Sequence, residues 1–323
     1  MTKTIGVGLL GLGTVGAAVA RAFAERGPRL DRATAVAGGR HLALVAAFVR
    51  NAAKARDAGG VPLTLDPFAI LDDPEIQIVV EVIGGMAPAR DLQLAAFERG
   101  KHVVTANKEL VARAWNELHE AARLAKRQLR YEAAVGAAVP VIAATRTLAA
   151  NRPRIIRGLI NGTTNYICSR MEAGLAFDAA LAEAQAKGYA EADPTNDIDG
   201  LDAAYKLSIL VSILDGRWYS PDHVRRTSLR GLTAAALAEA AGRGNRVRYL
   251  ATADFGERAT KARVGPEEVA ADSLEGRANG PTNVVTIEAD LAGELTFRGP
   301  GAGGDATASA ILGDVIEIAR SIP

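Results

Sequence analysis

Residues 5–16 read IGVGLLGLGTVG, and this stretch decides the fold of the first part of the 323-residue chain. Residues 5–10 form a short apolar run typical of a buried strand. The next six residues have the glycine spacing G-x-G-x-x-G, and residues 17–26 then follow a helical pattern. A strand, this spacing and a helix, in this order, predict a turn that binds the phosphates of a dinucleotide.

Each glycine has its own role in such a turn. Gly11 permits the tight turn, Gly13 lets a pyrophosphate approach the backbone, and Gly16 lets the helix pack against the strand. Thr14 and Val15 would present unpaired backbone N–H groups at the start of the helix, where a phosphate binds. The alternative is a purely structural glycine turn, because the spacing alone is a weak signal.

The end of the second apolar run bears on which nicotinamide the chain uses. Residues 42–49 read LALVAAFV and lead into Arg50 and Asn51, not into the acid that would bind the ribose 2′-OH of NAD. Arg50, with Lys54 or Arg56 nearby, is suited to a 2′-phosphate. The sequence therefore favours NADP(H), with NAD(H) possible. The alternative is an ordinary solvated basic turn.

Further alternation of apolar runs and helical patterns predicts a parallel sheet. Strands are expected at residues 76–83, 102–106 and 129–132, and helices at residues 89–99 and 116–127. Ligands bind at the carboxyl ends of the strands in such sheets. The residues predicted to line this crevice are Gly84, Gly85, Thr105, Asn107 and Lys108.

Composition excludes several classes of protein. The net charge is +1, and lysine and arginine are spread along the chain, which argues against a nucleic-acid partner. Cys168 is the sole cysteine, so no internal disulfide can form. The sequence shows neither a signal peptide nor an apolar run long enough to cross a bilayer. We therefore expect a cytoplasmic protein without a membrane partner.

An acid-rich segment, residues 188–210 (GYAEADPTNDIDGLDAAYKLSIL), is the strongest candidate for a second site. Its acids are Glu191, Asp193, Asp197, Asp199 and Asp202. Asp202 and Lys206 stand one turn apart on a helix that is apolar nearly all round. A buried ammonium needs partners, so Lys206 is a candidate for proton transfer. The alternative is a surface ion pair between residues four apart.

These pieces together resemble the homoserine dehydrogenase family. The matching motifs span almost the whole chain: residues 11–16, 105–108 (TANK), 131–140 (YEAAVGAAVP), 158–165 (GLINGTTN), 188–206 and 299–307 (GPGAGGDAT). The resemblance implies an α/β fold, with a Rossmann-type parallel-sheet domain at residues 1–133 and 299–323. A second, α+β domain for substrate binding and dimerisation would span residues 134–298, with strands at about 155–160, 246–254 and 284–288.

The resemblance also implies a reaction, the reversible NAD(P)H-dependent reduction of L-aspartate 4-semialdehyde to L-homoserine in threonine and methionine biosynthesis. Lys206 would donate the proton to the aldehyde oxygen, Lys108 would assist at that oxygen, and Asp202 would orient the reacting group. Glu191 would hold the α-ammonium of the substrate, with Asp197 and Thr163 as further contacts. Gly303 would lie near the nicotinamide.

The family further implies a monovalent cation, sodium or potassium, held by Glu132 and by the backbone of Val135, Ala137 and Val139. It also implies a homodimer paired through the second sheet. Because the chain ends at Pro323, no C-terminal ligand-sensing domain is expected. Two alternatives remain, another NAD(P)-dependent aldehyde or hydroxy-acid reductase and a non-catalytic nucleotide-sensing regulator.

Overall fold

The computed structural model describes residues 3–34, 40–54 and 58–322. The chain divides into two compact units. The first comprises the chain up to Ala138 together with the part from Gly303 onward, and the second runs from Val139 to Ala302. Both boundaries fall a few residues later than the sequence-based ones.

The first unit is built on six parallel strands. They are β1 (Lys3–Leu10), β2 (Arg40–Phe48), β3 (Leu63–Thr64), β4 (Ile76–Glu81), β5 (His102–Thr105) and β6 (Leu129–Arg130), in the order β3-β2-β1-β4-β5-β6. Its helices are α1 (Thr14–Thr34), α2 (Phe68–Leu71), α3 (Ala89–Glu98), α4 (Lys108–Arg113) and α5 (Trp115–Leu124). From β1 the chain first builds the sheet outward through β2 and β3, and then continues on the other side of β1 with β4, β5 and β6. The order therefore reverses between β1 and β4, and ligands bind at such a point in doubly wound sheets.

Apolar side chains cover both faces of this sheet, as a parallel sheet requires. On one face α1 packs against β2 and shares a core cluster with β1, and on the other α3 packs against β4 and β5. The last helix of the chain, which follows the glycine-rich segment after residue 299, also packs against α1. The predicted Rossmann-type domain is therefore confirmed as a fold.

Three predicted strands are shorter in the structure than in the sequence interpretation, and β5 loses only its last residue by ending at Thr105. β4 ends at Glu81, because the Glu81 carboxylate accepts hydrogen bonds from the N–H groups of Ile83 and Gly84 and turns the backbone away. β6 ends at Arg130, and residues 132–134 form a 3₁₀ turn. Apolar composition alone could not locate these ends, because the apolar residues continue beyond them.

The second unit contains a six-stranded mixed sheet. Its strands are β7 (Pro153–Leu159), β8 (Arg225–Arg226), β9 (Asn245–Phe255), β10 (Thr260–Ala270), β11 (Thr282–Ala289) and β12 (Gly293–Pro300), in the order β12-β11-β7-β9-β10-β8. Its helices are α6 (Val141–Thr147), α7 (Gly162–Glu172), α8 (Phe177–Ala186), α9 (Thr195–Ile198), α10 (Leu201–Asp215) and α11 (Ala234–Gly242); α12 (Gly304–Ser321) belongs to the first unit. The three predicted strands pair as one sheet, β7 between β9 and β11.

Helix α10 begins and ends at a glycine in the left-handed region, Gly200 with φ 78° and Gly216 with φ 69°. Gly200 also has no room for a side chain, because a Cβ there would lie 2.5 Å from the hydroxyl of Tyr249. Most of α10 is buried. Within the described ranges, no helix combines the length and the apolar character that a bilayer crossing requires.

Candidate active site

A cavity of about 440 Å³ lies at the carboxyl end of β1 in the first unit. It is lined by Gly11, Leu12, Gly13, Thr14, Ala17, Phe48, Val49, Arg50, Lys54, Val82 and Ile83. The glycine turn, the end of β2 and the segment after β4 therefore surround one cavity, at the edge where the strand order reverses. This is the position in which doubly wound sheets bind dinucleotides.

The glycines of this turn have the geometry that a pyrophosphate site requires. Gly11 has φ 108°, which a side chain would strain. A Cβ on Gly16 would lie 2.2 Å from the carbonyl oxygen of Gly11, so the helix can pack this closely only with glycine there. A Cβ on Gly13 would meet nothing within 4 Å, so the space beside it is open to a ligand. Val15 packs against the hydrophobic core instead of lining the cavity.

Arg50 and Lys54 give the far end of this cavity a positive charge. Both residues line it, and Arg50 is exposed directly after β2. In the described part of the chain, no aspartate or glutamate lines the cavity. Arg56, the other basic residue considered for this site, lies outside the described residues.

Glu81 organises the loops after β4 and β5. Its carboxylate, which is inaccessible to solvent, accepts hydrogen bonds from Gln93 Nε2 and Thr105 Oγ1, both at 2.7 Å. Thr105 Oγ1 in turn accepts from the N–H of Asn107, and Asn107 Nδ2 donates to the Gly85 carbonyl at 2.7 Å. The predicted residues at these strand ends thus form one hydrogen-bonded group.

Two further predicted residues, Lys108 and Gly303, stand at the starts of helices. Lys108 is the first residue of α4, and Asn107 caps that helix by accepting from Leu110 N–H. Gly303 precedes α12 with φ 112°. A Cβ on its neighbour Gly304 would lie 3.0 Å from the carbonyl oxygen of Thr14, so the start of α12 lies against the glycine turn.

In the second unit, the candidate lysine is buried. Lys206 Nζ lies 2.8 Å from Asp202 Oδ2 and donates to the carbonyl oxygen of Ile160 at 2.7 Å. Lys206 is 8% exposed and Asp202 6%, so the pair is not a solvated surface ion pair. The structure therefore favours the sequence interpretation of a held ammonium over its alternative.

Asn161 brings two of the predicted acids together. Its Nδ2 donates to Asp197 Oδ1 at 2.8 Å and to Asp202 Oδ2 at 2.9 Å. Its Oδ1 accepts from the N–H of Thr164 at 2.9 Å and thereby caps α7. This one amide therefore joins Asp197, which lies in α9, to Asp202, which lies in the first turn of α10.

Thr163 contacts Asp197 beside the Lys206–Asp202 pair. Thr163 Oγ1 lies 2.6 Å from the carbonyl oxygen of Tyr189 and 3.1 Å from Asp197 Oδ2. Burial raises the pKa of the Asp197 carboxyl, and the neighbouring Asp202 carboxylate raises this pKa further. Hydrogen bonds from Asn161 and Thr163 act in the opposite direction.

The other acids of the segment have different surroundings. Glu191 is exposed, and in the part of the chain that the structure describes its carboxylate has no hydrogen-bond partner. Asp193 accepts from the N–H of Thr195 and so stabilises the start of α9. Asp199 accepts from Ser228 Oγ at 2.6 Å. Asp193 therefore serves the local backbone and Asp199 bonds to a distant side chain, whereas the Glu191 carboxylate remains available to a ligand.

The residues predicted to hold a cation are all buried. Glu132 is 7% exposed, Val135 1%, Ala137 5% and Val139 2%. Ala137 has φ 50°, a left-handed conformation that is uncommon for a residue with a side chain. Within the described ranges, no cluster of three or more His, Cys, Asp or Glu side chains could hold a metal ion. A cation held as the family resemblance implies would take the Glu132 carboxylate together with backbone carbonyls.

Sequence reasoning missed Glu81 and Asn161, although both lie in segments that it singled out, residues 76–83 and 158–165. Glu81 is an acid within an apolar run, and a charged residue at a strand end next to glycines is the signal that could have identified it. Asn161 opens a helix after a strand, which predicts a cap. Its hydrogen bonds to Asp197 and Asp202 could not be predicted in this way, because both acids are distant in the sequence.

A glycine turn at the switch point of a parallel sheet and a buried lysine paired with a carboxylate define an NAD(P)-dependent oxidoreductase. The family model for the homoserine dehydrogenase NAD-binding domain matches residues 11–132, and the model for homoserine dehydrogenase matches residues 140–316. The chain belongs to the homoserine dehydrogenase family.

Individual relatives agree with this assignment. The chain is 40% identical to the homoserine dehydrogenase of Pseudomonas aeruginosa and 42% identical to that of Synechocystis; it aligns over 99% and 98% of its own length, respectively, and over 73% of each relative. A crystal structure of a homoserine dehydrogenase from Thiobacillus denitrificans has a TM-score of 0.95 at 43% identity, with 99% of this chain and 74% of that chain covered. A hyperthermophilic archaeal homoserine dehydrogenase in complex with NADPH has a TM-score of 0.84 at 26% identity, with 99% of each chain covered.

Proposed function

We infer that this chain catalyses the reversible NAD(P)-dependent interconversion of L-homoserine and L-aspartate 4-semialdehyde. Membership of the family carries this conclusion. The buried pair of Lys206 and Asp202 supports it and argues against a regulator that has lost its chemistry. When bound, the nicotinamide exchanges a hydride with the substrate carbon, and the chain's own residues must manage the proton on the adjacent oxygen.

Lys206 is proposed to exchange that proton with the substrate oxygen. Asp202 and the Ile160 carbonyl each accept a hydrogen bond from Nζ, so two acceptors hold the ammonium in place. A fixed ammonium neutralises and protonates the oxygen on which charge develops. We propose that Lys108 assists at the same oxygen and that Asp202 orients the reacting group.

The charge of the second unit's site favours a cationic substrate group. Asp197 and Asp202 supply two carboxylates, whereas the Lys206 ammonium pairs with Asp202. Burial raises the pKa of Asp197 and the Asp202 charge raises it further, whereas a cationic group bound beside these carboxylates would lower it. An α-ammonium supplied by homoserine would complete the balance. We propose that Glu191 binds this group and that Asp197 and Thr163 hold the substrate.

We propose NADP(H) as the preferred cofactor. Arg50 and Lys54 line the cavity of the glycine turn, and two cations suit a 2′-phosphate. Gly11, Gly13 and Thr14 would receive the pyrophosphate. The remaining predicted contacts are Val15, Gly16, Gly84, Gly85, Thr105, Asn107, Lys108 and Gly303.

A side-by-side assay tests this proposal. The purified protein is supplied with homoserine and either NADP⁺ or NAD⁺, and reduced nicotinamide is followed by absorbance. We expect homoserine oxidation with both, with the larger kcat/KM for NADP⁺. Oxidation of other small hydroxy acids at a similar kcat/KM would favour the broader reductase function, and a larger kcat/KM for NAD⁺ would contradict the cofactor assignment.

A monovalent cation and a homodimer are also proposed. The Glu132 carboxylate and the carbonyls of Val135, Ala137 and Val139 are oxygen donors of the kind that hard cations take. Sodium or potassium should raise the thermal midpoint relative to a large organic cation, and an unchanged midpoint would contradict the site.

The proposed homodimer would pair through the second sheet. Its edge strand β12 could pair with a second copy, and Leu291 in the turn before β12 is 76% exposed. Light scattering during size-exclusion chromatography measures the assembly.

A further inference from the structure

The asparagine that caps α7 makes more hydrogen bonds than a cap requires. Capping uses only Asn161 Oδ1, which accepts from the backbone N–H of Thr164. Serine, threonine and aspartate provide this contact equally well. The Nδ2 group takes no part in the cap, yet both of its hydrogens are directed at carboxylates, one on Asp197 and one on Asp202.

We propose that Asn161 is a positioning residue for the proton-transfer site, acting through Asp202 on Lys206. Asp202 Oδ2 accepts from Asn161 Nδ2 at 2.9 Å and is 2.8 Å from Lys206 Nζ, so one oxygen joins the amide to the ammonium. The proposal rests on the proposed function, because it assigns a role in the same reaction.

The backbone beside Asn161 supports the same role. Ile160, the residue before it, accepts from Lys206 Nζ at 2.7 Å. Two consecutive residues after β7 therefore fix the lysine, one directly through a carbonyl and one through Asp202. Because Asn161 is 5% exposed and Lys206 8%, water competes little for these hydrogen bonds, and their geometry is well defined.

Asn161 also reduces the repulsion between two carboxylates, which an acidic or apolar residue at this position would not do. Asp197 and Asp202 are held by the same amide, and their carboxylates repel each other. A neutral double donor between them offsets this repulsion without adding a cation that would compete with Lys206. Only asparagine combines a capping oxygen with two donor hydrogens on so short a side chain.

The first test separates capping from positioning with Asn161→Ser. Serine keeps the cap but cannot donate to both acids. We expect a thermal midpoint within a few degrees of wild type, a kcat for homoserine oxidation reduced at least about tenfold, and a KM for NADP⁺ within about twofold of wild type. A pure cap predicts wild-type kcat, and that result would overturn the proposal.

Thr233→Ala is the matched control for a lost cap. Thr233 caps α11 by accepting from the N–H of Ala236, and it contacts none of the site residues above. This variant should lower the thermal midpoint while leaving kcat unchanged. If it lowered kcat as much as Asn161→Ser does, general destabilisation would explain the loss and the positioning role would be wrong.

A readout independent of catalysis keeps the two proposals distinguishable. Trace acetylation of Lys206, measured by peptide mass spectrometry, reports how firmly its amine is held. We expect faster labelling in Asn161→Ser than in wild type, even if homoserine proves not to be the substrate. Unchanged labelling together with unchanged kcat would overturn the positioning role, whereas absent homoserine oxidation by the wild type would overturn only the proposed function.

Asn161→Asp provides a second test if the serine variant fails to fold. Aspartate keeps the cap and the shape but places a third carboxylate against Asp197 and Asp202. Like charges there disfavour ionisation. We expect kcat to fall below wild type and the pH profile of kcat to shift. A wild-type profile in this variant would contradict the role.

Discussion

Lys206 Nζ lies 2.8 Å from Asp202 Oδ2, one helical turn away on α10, and the two side chains are only 11% and 7% exposed. An exposed pair with this spacing would contribute about 0.3–0.5 kcal/mol. Burial changes the consequence of losing one partner, because an uncompensated charge then remains out of water at a cost of about 3–5 kcal/mol. Substitutions at this pair must therefore be judged for folding as well as for rate.

We expect Lys206→Ala to lose catalysis while its affinity for the cofactor stays close to wild type. Lys206 belongs to the second unit, whereas the cavity of the glycine turn belongs to the first. Steady-state kinetics and cofactor titration measure the two effects. A fall in kcat of less than about tenfold, or about 1.4 kcal/mol of barrier, would contradict a role as proton donor. The double variant Asp202→Asn with Lys206→Met removes both charges and controls for the unpaired carboxylate.

Arg50→Ala should raise the KM for NADPH much more than the KM for NADH. Only NADPH carries the 2′-phosphate, and Arg50 lines the cavity in which that group would lie. Arg123→Ala is a suitable control, because Arg123 is exposed on α5 and pairs with Glu120. Equal increases for the two cofactors would show that Arg50 does not recognise the phosphate.

Glu191→Gln should weaken homoserine binding chiefly at the amino group. The amide keeps the shape of the side chain and removes its charge, so the charge-assisted bond to an ammonium is lost. The KM for homoserine should rise more than the KM for an analogue without the α-amino group. Asp193→Asn removes a charge from the same loop and should leave both values near wild type. If the analogue suffers equally, Glu191 serves the loop instead.

Asp314→Asn should stabilise the protein above pH 7 and have little effect at low pH. Burial raises the pKa of the Asp314 carboxyl from 3.8 to about 7, so the folded state binds this proton more tightly than the unfolded state does. The resulting contribution to stability is fully present below pH 3.8. That contribution is lost as the pH rises through about 7, where folding must bury the charged form. Asparagine is neutral throughout and can still accept from the Glu132 N–H.

The thermal midpoints of the wild type and of Asp314→Asn at pH 4 and pH 8 test this prediction. The difference at pH 8 should correspond to about 1–3 kcal/mol, which is below the full linkage value because buried groups relax. The buffers should contain neither sodium nor potassium, since a cation beside Glu132 would offset the charge. A variant that is less stable than wild type at pH 8 would contradict the predicted sign.

The sequence alone determined the first unit and the family. A strand, a glycine turn and a helix in succession are local patterns, because each depends on residues within about one turn or one strand of each other. The family motifs likewise include Lys206, Asp202, Asp197 and Thr163. What the sequence could not provide was how far each strand extends, because Glu81 turns the backbone through hydrogen bonds that apolar periodicity does not reflect.

Only the tertiary structure decided how the acids of residues 188–210 differ. In the sequence they are five similar carboxylates, yet Asp197 and Asp202 meet at Asn161, Asp199 meets Ser228, and Glu191 is exposed. Asn161 is 36 residues from Asp197 and 41 from Asp202, so packing of α7 against α9 brings them together. That packing determines which carboxylates are buried and hydrogen-bonded to other side chains, and which remain exposed and available to a ligand.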